Sequence, residues 1–199
     1  MPRDFGGSLQ VTVGASLPTY QITANDIAPV TGCFDIFNIA NPSTSTVAII
    51  PTRIFVSMDA TAASSMDMYL VRRTAANTGG TPVPIVYNAS TSALGGNASF
   101  LSHDTTDQPS VAVINAYSVN PTYGTGLMIE AGRLTVPAAA TPAVPFVNWE
   151  MTWTTRGAKP PIIRPGQFLC PSFGGQSTPA GAGMYLTLEW IEVPLTSLQ

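Results

Sequence analysis

The sequence predicts an all-β protein: an antiparallel two-sheet sandwich of about eight to ten strands, for which we expect a jelly roll. Only 10% of the 199 residues are charged, whereas helical surfaces are normally covered with Glu, Lys and Arg. Proline (18) and glycine (17) are frequent, as in chains with many turns. Apolar and polar residues also alternate with period two along the chain, which is the pattern of half-buried strands.

The clearest strands are predicted in two segments, 147–154 (VNWEMTWT) and 184–191 (MYLTLEWI). Every second residue of each segment is apolar, which places these residues on one face of an extended chain. The apolar residues are Val147, Trp149, Met151 and Trp153 in the first segment, and Met184, Leu186, Leu188 and Trp190 in the second. We therefore expect the three tryptophans to be core residues.

Other strands are predicted from runs of β-branched and aromatic residues between turn formers. They lie at 9–14, 33–40, 46–58, 66–74, 82–87, 111–118, 127–136 and 167–170. Pro51 interrupts the strand at 46–58, which must therefore be bent, bulged or at an edge. The strand at 33–40 is apolar on both faces, which indicates an extra covering layer or a subunit interface.

The length and the weakly patterned N-terminus suggest how the chain is divided. Residues 31–199 are predicted to form the jelly-roll domain, because the chain exceeds the length of an immunoglobulin domain and lacks its Cys…Trp…Cys spacing. Residues 1–30 are predicted to be an N-terminal arm or extra strands, with possible contact to a partner. An ordinary first strand pair is an equally good interpretation of this segment.

The composition also bears on partners and location. A net charge of −3 argues against a nucleic-acid partner, which requires a basic surface. No apolar run approaches the roughly 20 residues that span a bilayer, so no membrane partner is expected, and the N-terminus lacks a signal-peptide core. We therefore expect this protein to be made in a cytoplasm and to be used or assembled there. Depletion of charge is typical of interface cores and favours a homo-oligomer.

No enzyme is predicted. In Ser102-His103-Asp104, adjacent residues of an extended chain point in opposite directions and cannot form a triad by themselves. Glu150 and Glu189 lie on outward strand faces, where they could meet only if their strands were neighbours. No catalytic residue, metal site or cofactor is therefore expected, and Cys33 and Cys170 are interpreted as buried small apolar residues, paired only if the fold brings them together.

The segment 71–84 (VRRTAANTGGTPVP) changes from a strand end to turn residues. Arg72 and Arg73 point to opposite faces of a strand and cannot form one phosphate clamp. Our hypothesis is that one arginine pairs with an acid at the rim of the sheet, while the other contacts a neighbouring subunit.

The same segment resembles a family of small virion structural proteins of tailed bacteriophages, in which an RT-x-ANTGGT pattern recurs. Further motifs of that family follow in the same order: Tyr117 to Thr122 (Y-x-x-NPT), Gly126 through Leu134 to Pro137, the turn Arg164-Pro165-Gly166-Gln167, and Glu189-Trp190-Ile191-Glu192. The resemblance covers roughly residues 66–194. The proline-rich stretch 137–147 and the TRGAKPPI stretch depart from the pattern.

The resemblance implies a jelly-roll capsid decoration (cement) protein that bridges major capsid protein subunits on the phage head, as a homotrimer at a threefold position. The alternative is a receptor- or carbohydrate-binding jelly roll of a head or tail fibre. Arg3 and Phe5 of the arm, with Arg72 and Arg73, are the expected partner contacts.

Overall fold

The computed structural model describes residues 17–27, 35–61, 63–75, 77–78, 81–82, 98–102, 110–117, 125–136, 147–153, 159–177 and 180–198. They form eleven strands: β1 (Thr19–Ile27), β2 (Phe37–Ala40), β3 (Val47–Asp59), β4 (Ser64–Arg73), β5 (Thr81–Pro82), β6 (Ala98–Ser102), β7 (Val113–Ala116), β8 (Gly126–Val136), β9 (Val147–Thr152), β10 (Phe168–Ser172) and β11 (Gly183–Pro194). A short 3-10 helix, Leu195–Ser197, follows β11.

The strands form two antiparallel sheets. The first sheet has the order β6-β1-β11-β3-β9, and the second has the order β5-β7-β2-β10-β4-β8. This confirms the expectation of an all-β protein with two antiparallel sheets.

The pairing joins strands from opposite ends of the chain. β1 pairs with β11, β2 with β10, β3 with β9, and β4 with β8. Two further ladders, β11 with β3 and β10 with β4, join these pairs into sheets. The chain between β4 and β8 adds edge strands to both sheets, because β6 lies beside β1, and β7 with β5 lies beside β2.

Side chains from both sheets form the main apolar core, and Ala48, Ile50 and Val193 form a second, smaller cluster. In β11, buried and half-buried residues alternate from Met184 to Trp190, as period two predicts. Trp190 and Trp153 are buried, and Trp149 packs against the core as a half-buried residue, so the prediction for the three tryptophans is confirmed. The two sheets approach closely at Gly132 of β8, where an added Cβ would lie 2.4 Å from Trp149 Nε1.

Two local expectations are also confirmed. The register between β3 and β11 shifts between Arg53 and Pro51, which marks a bulge beside the proline. All four residues of β2 are buried, so this strand is covered on both faces.

Other predictions fall partly or wholly outside the described residues. These are the strand at 9–14 and most of the strand at 82–87. β1 lies within the segment 1–30 and is a full member of the first sheet, through its pairing with β11. Since residues 1–16 are outside the described part, the boundary of the arm stays a prediction.

Candidate functional site

The two arginines of the segment 71–84 lie on opposite faces of β4. Arg72 is half-buried, and its neighbours in the two adjacent strands are Leu169 and Leu127. Arg73 lies on the face directed away from the core, yet it is only 8% exposed. An arginine that is buried on the outer face of a sheet must be covered by another part of the chain and requires a buried partner.

That partner is Asp35, which is fully buried. Arg73 donates from Nε to Asp35 Oδ2 at 2.5 Å and from Nη2 to Oδ1 at 2.6 Å, which is the bidentate geometry of a strong arginine–carboxylate pair. Asn77 Nδ2 donates to the same carboxylate. Arg73 thus pairs with an acid, as we expected of one arginine, and this acid is fully buried although it lies beside the same outer face of the sheet.

The surroundings set the protonation of the buried cluster. Burial lowers the pKa of the Arg73 guanidinium, but the hydrogen bonds and charge of Asp35 outweigh it, and the pKa lies above its usual value. Burial raises the pKa of the Cys170 thiol well above its usual value, so this free cysteine stays protonated. Burial also raises the pKa of Tyr117 to about 12. The cluster is therefore a fixed ion pair among neutral groups.

A second layer of polar side chains continues from this cluster along β2 and β7. Asn38 Nδ2 donates to the Tyr117 hydroxyl at 2.8 Å, and Asn115 Nδ2 donates to Asn38 Oδ1 at 3.1 Å. Asn38 and Tyr117 are both about 1% exposed. Since each amide has a partner, burial of these polar groups is compensated.

Gly126 of β8 leaves room for the buried arginine. A Cβ at this position would lie 2.8 Å from Val71 Cγ1 and 2.9 Å from Arg73 Nη1. A larger residue would therefore require Val71 or the Arg73 guanidinium to shift. The hydrogen bond from Asn77 to Asp35 links the segment after β4 to this ion pair.

Beside the cluster, the second sheet carries an open groove of about 460 Å³ with a mainly apolar lining. We call it the amide groove, because the asparagines Asn38, Asn41, Asn77 and Asn115 all line it. The other lining residues are Ala40, Pro42, Ser43, Thr74, Ala75, Val113, Gly166 and Phe168. None of the twelve is charged.

A third feature is the apolar β8 edge, formed by three consecutive exposed residues. Leu127 is 65% exposed, Met128 54% and Ile129 40%. β8 is the last strand of the second sheet, and its outer side pairs with no strand of the described chain. Exposed apolar edge strands are sites of association, because both side chains and backbone groups are unpaired there.

The two candidate acids of the first sheet are bridged by Arg53. Its Nε donates to Glu150 Oε1 at 2.8 Å, and its Nη1 donates to Glu189 Oε1 at 3.1 Å. Their strands, β9 and β11, lie on either side of β3, which carries Arg53. The two acids therefore do not neighbour each other directly and share one cation. His103, Arg3, Phe5 and Cys33 lie outside the described residues.

Sequence reasoning missed Asp35, Asn38 and Asn77 as members of one cluster. A signal was present, since Asp35 and Asn38 interrupt an otherwise apolar stretch, CFDIFNIA, and buried polar residues in such a strand need partners. Their partners lie far along the chain and could not be identified from local pattern.

Within the described residues, no helix has the length and apolarity to cross a membrane. Comparisons of the chain with protein-family models, with curated proteins and with solved structures give no match. The resemblance to phage virion proteins thus depends on the sequence motifs alone.

Proposed function

We propose that this chain is a virion structural protein with a jelly-roll fold, a decoration (cement) protein of a phage head that associates with copies of itself and binds major capsid protein subunits. The observation that carries an assembly role is the apolar β8 edge. The motifs of the segments 71–84, 117–122 and 189–192 point to the virion.

The strand pairing supports the jelly roll. Without the strands inserted between β4 and β8, eight strands remain, and they pair first with last, second with seventh, third with sixth and fourth with fifth. This is the pattern of a long antiparallel ribbon rolled into two sheets, as in jelly rolls with two Greek keys.

The β8 edge supports association with a second copy. Leu127, Met128 and Ile129 are all exposed, and Ile129 is the extra residue of a bulge, because the register with β4 shifts between Leu70 and Val71. Natural edge strands are usually protected by charge or by bulges. The β8 edge has a bulge at Ile129, but none of its three exposed residues is charged, so no charge keeps this part of the edge apart from another copy. Burial of three large apolar side chains per copy favours a stable contact.

A homotrimer is the proposed state, since three copies match a threefold position of a shell. On the head surface, each copy would stabilise the shell by bridging capsid subunits after assembly in the host cytoplasm. Repetition of an interface of roughly 800 Å² per partner over the shell would suffice.

The oligomeric state provides the first test. Full-length protein should elute as a trimer in size-exclusion chromatography with light scattering, and Met128→Lys and Ile129→Lys should shift it to monomer. Thr135→Lys is the matched control, because Thr135 is exposed on the same strand but outside the apolar run. A wild-type monomer at all concentrations would exclude association through this edge.

The virion role has a separate test. Purified virions should contain the protein on the head in a cryo-electron microscopy map, and heads without it should lose thermal stability. Virions whose heads lack the protein would overturn the proposal, whatever its oligomeric state.

A further inference from the structure

The amide groove lies on the outer face of the second sheet. Its floor is formed by β2, with Asn38 and Ala40, and its sides by β7 and β10. Asn41 and Gly166 also line the groove, as do Thr74, Ala75 and Asn77, which follow β4. A volume of about 460 Å³ is within the usual range of small-molecule sites, about 300–1,000 Å³.

One wall of the groove offers one amide, that of Asn115, with capacity for a ligand. Asn115 is half-buried and uses Nδ2 for Asn38, and its Oδ1 accepts no hydrogen bond from the described chain. A carboxamide both donates and accepts, as a hydroxyl does. Groups of this kind recognise vicinal hydroxyls without any charge.

Asn41 gives an independent indication of a ligand. Its Nδ2 donates to the carbonyls of Val47 and Ile163, both at 2.9 Å, which fixes the orientation of the amide. Its Oδ1 is buried without a hydrogen-bond partner. A buried acceptor without a donor is uncommon and unfavourable, and a hydroxyl from outside the chain would compensate it.

The rest of the lining is apolar or neutral. Phe168 is half-buried, and Val113 is 45% exposed; both can pack against the C–H face of a ring. The nearby charges of Asp35 and Arg73 are paired with each other and do not line the groove. From the Asn115 amide, the unpartnered Asn41 acceptor and the absence of charge in this lining, we infer that the amide groove binds a neutral saccharide.

A peptide is less well suited to this groove. Extended peptides bind mainly through backbone hydrogen bonds at a free sheet edge, but β2 has hydrogen-bonded neighbours on both sides, β7 and β10. Only side chains of β2 therefore face a ligand. This inference goes beyond the proposed assembly role and does not depend on it.

The test uses full-length protein labelled with ¹⁵N and a panel of neutral methyl glycosides and disaccharides of glucose, galactose, mannose and N-acetylglucosamine. At about 50 mM, well above the millimolar Kd expected of a weak small-ligand site, at least one sugar should shift the side-chain amide signals of Asn41 and Asn115. Ligand-observed saturation transfer should show contact with the sugar ring.

Two variants locate the site. Asn115→Leu removes the free amide oxygen and also the bond from Nδ2 to Asn38. A variant that keeps the wild-type ¹⁵N spectrum outside the groove should bind about tenfold more weakly, the effect of losing a hydrogen bond. Val113→Lys places a charged chain at the rim and should abolish binding, with little risk to folding because Val113 is exposed. Gln21→Leu, on the outer side of the first sheet, is the control and should bind as wild type.

Other outcomes would overturn the inference. They are binding of no sugar in the panel, signal shifts confined to residues outside the groove, and equal binding by the folded Val113→Lys variant. Shifts produced by a neutral tripeptide and by no sugar would identify a peptide site instead. Each of these results is independent of the oligomeric state and of the presence of the protein on the virion.

Discussion

Replacement of Asp35 by asparagine should strongly destabilise the fold. Asp35 is fully buried and accepts two hydrogen bonds from Arg73, at 2.5 and 2.6 Å, and a third from Asn77. Asparagine has the same shape but no charge, and its NH₂ group would face the guanidinium donors. Removal of one member of a buried ion pair costs about 3–5 kcal/mol, because the other charge stays buried without compensation.

A loss of about 3 kcal/mol is measurable, since domains of this kind have a free energy of unfolding of about 5–15 kcal/mol. Urea unfolding, followed by tryptophan fluorescence, should show a lower midpoint and an unchanged m value. Glu150→Gln is the control: the Glu150 side chain is 45% exposed in its pair with Arg53, and surface pairs contribute only about 0–1 kcal/mol.

The double variant Asp35→Leu/Arg73→Met distinguishes a lost pair from general disruption. It removes both charges and keeps apolar volume, so it should be less destabilised than Asp35→Asn alone. A loss below about 1 kcal/mol for Asp35→Asn, or a double variant less stable than the single one, would refute the view that the ion pair holds this segment in place.

Three other predictions concern the same framework. Glu192→Ala should lower the free energy of unfolding, measured in urea, by about 2–3 kcal/mol. The reason is that the buried Glu192 carboxylate accepts hydrogen bonds from Ser110 Oγ, Val111 N and Trp190 Nε1. Glu189→Ala, which removes a part-exposed carboxylate, should lower the free energy of unfolding less. Gly132→Ala should cost about 1–3 kcal/mol, since its Cβ would lie 2.4 Å from Trp149 Nε1, and a melting temperature equal to wild type would contradict this close approach of the sheets. Burial raises the pKa of Tyr117 to about 12 from 10.0. The contribution of the neutral Tyr117 hydroxyl to the free energy of unfolding is therefore complete below about pH 10 and is lost as the pH rises through about 12. The free energy of unfolding measured against pH should show this decline in wild type but a smaller one in Tyr117→Phe.

Sequence reasoning found β9 and β11 from the alternation of their own side chains, and β3, β4 and β8 from runs of β-branched and aromatic residues. Their predicted ranges agree with the structure to within a few residues. β1 was not identified as a strand, because only Tyr20 and Ile22 of its described side chains are core residues, and its position depends on pairing with β11. Tertiary pairing of this kind leaves little local pattern.

The candidate sites were less predictable for a similar reason. Asp35 meets Arg73, 38 residues later, and no local rule connects them. The sequence also predicted a strand at 127–136 without indicating exposure. Leu127 and Met128 are exposed because β8 is the last strand of its sheet, and strand order follows from the whole topology and not from the segment itself.

The distribution of charge connects these features. In the described chain, Arg53, Arg73 and Arg133 are each paired with carboxylates of the same chain, so these cations stabilise the sheets and are not free to recognise a partner. The two surfaces that we propose for recognition, the apolar β8 edge and the amide groove, depend instead on apolar burial and neutral hydrogen bonds. Salt screens such interactions little and can strengthen apolar burial. If the proposals hold, association through these surfaces selects a partner by shape and hydrogen-bond pattern, and it should persist at high salt.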